Sequence, residues 1–149
     1  MKVVLDTSVV VNLFSGFYPD RSQVAKKIAK LSEMGILEVY APRLGEFEFV
    51  SVLSRFLPRE LVEEAHEIYL ELVADFVGEG LLSDKILELA FTTGHRVPDL
   101  YFVATAQHIN ALLLTNDRKM ADMARSVGVK AFYLAEEADE FFKLVGVDG

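Results

Sequence analysis

Apolar residues fall into two alternating rhythms along this chain. Short unbroken runs such as Val3-Val4-Leu5 and Leu112-Leu113-Leu114 predict strands near 2–5, 36–41, 75–78, 111–114 and 130–134. Unbroken runs suit central strands covered on both faces. Between them the spacing turns helical, over 8–14, 21–34, 43–57, 59–74, 83–93, 99–109, 117–126 and 136–144. The clearest helix is 59–74, where Leu61, Val62, Ala65, Ile68, Tyr69, Leu72 and Val73 repeat at helical intervals. Glu60, Glu63, Glu64, Glu67 and Glu71 take its other face. Ser83 reads as a helix N-cap and Gly128 as the stop after 117–126. Strands alternating with helices predict a three-layer α/β/α domain around a mostly parallel five-stranded sheet. No Pro/Gly/Ser-rich linker or repeat divides the chain, so residues 1–149 read as one domain.

Composition narrows the chemistry. With 52 % apolar and 26 % charged residues, the chain has the make-up of a globular protein with a sizeable core. The absence of cysteine excludes disulfides and Cys-based zinc or iron–sulfur sites, and suits an intracellular, cytoplasmic location. No apolar stretch approaches the roughly 18 residues a membrane helix needs, and the N-terminus enters a strand with no signal-peptide pattern. No membrane partner is expected. A formal charge of −8 opposes bulk attraction to polyanions, so any nucleic-acid contact must use local basic groups or metal ions.

Four acidic residues sit where carboxylates are unwelcome. Asp6 ends Val3-Val4-Leu5, and Asp117 follows the run through Leu114. Glu48 stands between Phe47 and Phe49, and Asp99 opens Asp99-Leu100-Tyr101-Phe102-Val103-Ala104. A buried carboxylate needs a partner charge, a proton or a metal. In an open parallel sheet, ligands bind beyond the carboxyl ends of the strands. Neighbouring strands lie about 4.8 Å apart, so acids leaving adjacent strand ends can share one cation. All-oxygen donors select Mg²⁺ or Mn²⁺, with some of the four acting through water. For any one acid, capping of the next helix is an equally good account of Asp6, Asp99 or Asp117. For Glu48 the alternative is an ion pair with Arg55 or Arg43. Glu46 competes with Glu48, and the spacing from Pro42 favours Glu48.

The opening Val-Val-Leu-Asp6-Thr7-Ser8-Val-Val-Val-Asn12 resembles the first motif of PIN-domain nucleases. Pro42 through Glu48 to Leu53 resembles the second acidic block, the segment from Asp99 the third, and Leu-Leu-Thr115-Asn116-Asp117-Arg-Lys-Met-Ala the fourth. The compact length is similar to the VapC-type toxins of VapBC toxin–antitoxin pairs. The resemblance implies a PIN-like sheet of order 3-2-1-4-5 and a Mg²⁺- or Mn²⁺-dependent endoribonuclease, usually dimeric and often inhibited by a small antitoxin. Asp6 and Asp99 become the first-choice metal ligands. Glu48 and Asp117 complete the site, one of them orienting the attacking water or holding a second ion. Thr7, Ser8, Asn12, Thr115 and Asn116 are candidates for positioning carboxylates or phosphate. Two positions depart from the usual pattern, Leu100 where Ala is common and Ser51 where Asn is common.

Arg96, Arg118 and Lys119 neighbour the acids and are candidate RNA-phosphate contacts, with solvated surface as the plainer account. His66, His95 and His108 show no ligand spacing, and Phe141, Phe142, Leu144 and Val145 are expected to pack on the core. A phosphatase of the haloacid-dehalogenase type needs a second Asp where Ser8 stands. Competing readings of function are a PIN nuclease of RNA processing or quality control without an antitoxin, and a non-catalytic RNA- or partner-binding module.

Overall fold

A computed structural model of the chain describes residues 1–147. Five strands form one parallel sheet: β1 (Lys2–Leu5), β2 (Glu38–Pro42), β3 (Val73–Val77), β4 (Leu112–Thr115) and β5 (Ala131–Tyr133). Their order is β3-β2-β1-β4-β5, so the two apolar runs become adjacent central strands. The helices are α1 (Thr7–Val10), α2 (Pro19–Glu33), α3 (Arg43–Leu53), α4 (Arg59–Leu72), α5 (Glu79–Thr93), α6 (Val97–Ile109), α7 (Arg118–Ser126) and α8 (Leu134–Val145). A single 3₁₀ turn, Val11–Leu13, extends α1.

Alternation along the strands builds the three layers. Val3, Leu5 and Leu114 point into one core with Phe49, Tyr69 and Phe141, beneath α2, α3, α4 and α8. Val4 and Leu113 point into the other with Leu100, Phe102 and Met120, beneath α5, α6 and α7. Phe141 and Phe142 are fully packed, as expected, whereas Leu144 is exposed.

Two local expectations are corrected. Ser83 is not an N-cap. Helix α5 starts a turn earlier behind Gly78, and Ser83 Oγ donates back to the carbonyl of Glu79 inside the helix. The helix expected over 59–74 stops at Leu72, because Val73 is taken into the sheet edge opposite Val39. Gly128 does follow the last turn of α7, at a left-handed φ of 84° that favours glycine.

Helix α3 carries Glu48, and its placement depends on a close approach. At Gly45 an added Cβ would lie 3.0 Å from the Tyr69 hydroxyl and 3.4 Å from the Phe102 ring. Gly45→Leu is therefore expected to destabilise the protein by roughly 1–3 kcal/mol through overpacking. Urea denaturation measures this, and an unchanged midpoint contradicts the packing described.

Candidate active site

The register of β1 and β4 builds the site. Leu5 pairs with Leu114, and the Asp6 amide continues the ladder by donating to the Leu114 carbonyl at 3.0 Å. Asp6 therefore emerges beside Thr115 at the carboxyl ends of two adjacent central strands. It precedes α1 in extended conformation, yet its side chain caps nothing. Its Oδ2 instead accepts from Ser8 Oγ at 2.6 Å and from Thr115 Oγ1 at 2.8 Å. None of the described residues donates to Oδ1.

Both hydroxyls are themselves oriented. Ser8 Oγ accepts from the Asn116 amide at 3.0 Å, and Thr115 Oγ1 accepts from the Asp117 amide at 3.0 Å. Each hydroxyl proton is thereby aimed at Asp6, and such chains strengthen their members. Asn12 Nδ2 and Asn116 Nδ2 both donate to the Ser8 carbonyl, at 2.6 and 3.1 Å, tying the start of α1 to the end of β4. Thr7 Oγ1 donates to Glu48 Oε1 at 2.5 Å, bringing α3 to the same edge. Thus Asp6, Ser8, Asn12, Thr115, Asn116 and Asp117 share one connected hydrogen-bonded network, and the Thr7–Glu48 pair stands beside it as a separate bond.

The remaining candidates divide. Asp99 lies buried in the first turn of α6, which begins at Val97 rather than at Asp99 itself. It meets Arg96 at 3.4 Å, a long contact to an otherwise exposed guanidinium. Asp117 does cap a helix, since its Oδ1 accepts from the amides of Lys119 and Met120. Glu46 turns away to Arg43 at 2.8 Å and His66 at 2.6 Å, leaving Glu48 as the acid facing the site and free of arginine. Arg118 is drawn aside, paired with Glu136 at 2.5 Å and stacked over Tyr133. Lys119 contributes its amide to Asp117, and no ion pair holds its ammonium among the described residues.

Burial dominates the electrostatics. It pushes the Asp6 carboxyl up to about 6, with Glu48 and Asp99 adding repulsion and the Ser8 and Thr115 hydroxyls opposing the rise. Burial also raises Asp99, helped by Asp117 and resisted by Arg96. These couplings link Asp6 to Glu48 and Asp99, and Asp99 to Asp117. Among the described residues no arginine or lysine neutralises Asp6. Asn116 Oδ1 is, among the described residues, a buried side-chain oxygen without any donor.

This donor set fits a hard divalent cation of a particular kind. All candidate ligands are oxygens, and an uncompensated acidic centre demands positive charge. Among the described residues no three Asp, Glu, His or Cys groups stand close enough to enclose an ion by themselves. An ion held here would keep most of its shell as water, as Mg²⁺ and Mn²⁺ do with one or two direct carboxylates. Two aromatics passed over in the sequence, Phe17 and Tyr18, stand close by in a cavity that Asn116 also lines. Their adjacency in a loop between Gly16 and Pro19 was the available signal.

Folded Asp6 titrates near 6, against 3.8 for a free aspartate. Its stabilising contribution is complete below the lower value and lost as pH rises through the upper one. In chelator at pH 7.5, Asp6→Asn is expected to be more stable than the wild type, by on the order of 3 kcal/mol. The difference should vanish near pH 3.8. Denaturation midpoints at the two pH values check this, and a gap independent of pH contradicts it.

A family model described as PIN domain matches residues 3–126. No curated protein matches the sequence significantly. VapBC-1 from nontypeable Haemophilus influenzae is similar in structure, with a TM-score of 0.70 and 16 % identity over 91 % of this chain and 100 % of that one. VapBC2 from Rickettsia felis, bound to a DNA fragment from their promoter, gives 0.65 and 17 % over 89 % and 98 %. FitAcB from Neisseria gonorrhoeae gives 0.59 and 20 % over 87 % and 96 %. At such identities the structural likeness speaks for the fold. The family match spans most of the chain and all four acids, and the chain belongs to the PIN domain family.

Proposed function

We propose that this protein is a Mg²⁺- or Mn²⁺-dependent endoribonuclease, the toxin member of a toxin–antitoxin pair. The observation that carries the reading is Asp6. It is a buried carboxylate with one oxygen held by two oriented hydroxyls and the other given no donor among the described residues. Asp6 and Asp99 would hold the ion, with Glu48 and Asp117 reaching it through water. Bound there, the cation supplies charge stabilisation at the scissile phosphate and acidifies a water for attack.

The chain's own residues do the rest. Ser8 and Thr115 fix the Asp6 carboxylate, so its free oxygen keeps one direction. Thr7 fixes one oxygen of Glu48, leaving the other to accept a proton from an attacking water. Asp117 Oδ1 is occupied by the start of α7, so only Oδ2 can serve the site. Lys119 and Arg96, at the rim, are candidates for the RNA backbone.

An antitoxin partner is supported by the VapBC and FitAcB structures that share this fold. A homodimer and a cytoplasmic location belong to the same reading. No helix is long and apolar enough to cross a membrane among the described residues.

Purified protein is expected to cleave single-stranded RNA with Mg²⁺ or Mn²⁺ and to stop in chelator. Asp6→Asn should abolish cleavage, and Ser8→Ala should lower it about 10–100-fold, as expected for a group supporting a ligand. Gel assays on defined RNAs check both. Full activity in excess EDTA, or in Asp6→Asn, overturns the proposal.

A further inference from the structure

A cavity of about 660 Å³ lies between the start of α2 and the first turns of α8. Asn116 forms part of its wall and is joined through Ser8 to Asp6, so the cavity adjoins the acidic centre. We propose that it is a nucleobase pocket, which takes a base of the RNA strand beside the scissile phosphate and selects guanine. The proposal rests on the ribonuclease reading above.

The lining matches a flat, donor-bearing ring. Phe17 and Tyr18 are 75 % and 56 % exposed, although aromatic side chains of this size normally bury most of their surface. The guanidinium of Arg21 lies 4.3 Å from the centre of the Tyr18 ring. Arg21 thus covers one face of that ring, and Tyr18 still stands more than half exposed in the cavity wall. Bases splayed from single-stranded RNA stack on such rings and are read along their hydrogen-bonding edges.

The polar groups decide which base. Glu136 is engaged by Arg118, whereas none of the described residues donates to Asp139 or to Asp20, the two other carboxylates of the lining. An ionised carboxylate only accepts. Guanine presents two adjacent donors, N1–H and the 2-amino group, that meet both oxygens of one carboxylate. Uracil, by contrast, sets a single N–H between two carbonyl acceptors. A phosphate would be repelled by the same acid. Arg21 has no carboxylate within ion-pair distance among the described residues, and its free N–H groups can meet the backbone phosphate instead. A cationic side chain from a protein partner is the rival occupant. It fits less well, because Arg21 already fills the cation seat on Tyr18.

The test uses the intact protein and two measurements. The first is kcat/KM with Mn²⁺ on oligoribonucleotides that have one cleavable linkage and each of the four bases beside it. Guanine should be preferred over uracil by about tenfold or more. Tyr18→Ala should remove about tenfold from the guanine substrate through KM, in line with the loss of one stacked base. Tyr18→Phe should retain the preference, and Asp139→Asn should flatten it. The second is metal-free binding of a 2′-O-methyl trinucleotide carrying guanine or uracil, followed by isothermal titration calorimetry.

Cleavage without base preference, unmoved by Tyr18→Ala, overturns the pocket and leaves the ribonuclease reading standing. Guanine-selective binding lost in Tyr18→Ala, with no cleavage under any metal, supports the pocket and removes the ribonuclease. An arginine-rich peptide that binds through Tyr18 while guanine does not overturns the proposal in favour of a protein partner.

Discussion

The structure turns on one unfavourable burial. Asp6 sits 5 % exposed at the end of a central strand, with no cationic side chain to meet it among the described residues. A carboxylate in that position destabilises the free protein at neutral pH and creates a standing demand for positive charge. The hydroxyls of Ser8 and Thr115 reduce the cost without removing it. They also leave the other carboxylate oxygen without a donor among the described residues. Holding such a group in place is the work of the whole sheet.

That work begins with strand order. Placing β1 beside β4 puts Asp6 next to Thr115, although 109 positions separate them in the chain. Placing β2 on the other side of β1 lets α3 start at the same edge, so that Glu48 reaches Thr7. Gly45 lets α3 settle against Tyr69 and Phe102. Glu48 and Asp99 ride on helices, while Asp6 and Asp117 sit at tight strand-to-helix junctions, so each is held by rigid elements on at least one side. Repulsion among Asp6, Glu48 and Asp99 is the cost of that convergence.

Much of this was legible in the sequence, for identifiable reasons. The unbroken runs of β1 and β4 announced central strands, and the acids stood out because they closed or interrupted apolar segments. What each carboxylate does was not legible, since a cap and a ligand look alike in one dimension. Asp6 takes the N-cap position without capping, while Asp117 caps with one oxygen and keeps the other. In three dimensions Glu46 is drawn off by Arg43 and by His66, 20 positions away, while Glu48 accepts from Thr7. Ser83 misled because Ser before an acidic, apolar stretch is a common cap pattern, and the helix simply began sooner behind Gly78. Val73 and Ala74 fit helix and strand equally until a neighbouring strand claims them. Tyr18 and Phe17 gained meaning only when α8 came to face them.

The most direct measurement is anomalous diffraction from crystals of the protein soaked in Mn²⁺. The account predicts one strong peak at the carboxyl end of the sheet, about 2.1 Å from a carboxylate oxygen of Asp6 and within reach of Asp99. A peak far from Asp6, or a centre that stays metal-free while Asp6 recruits Arg96 or a proton, would contradict it.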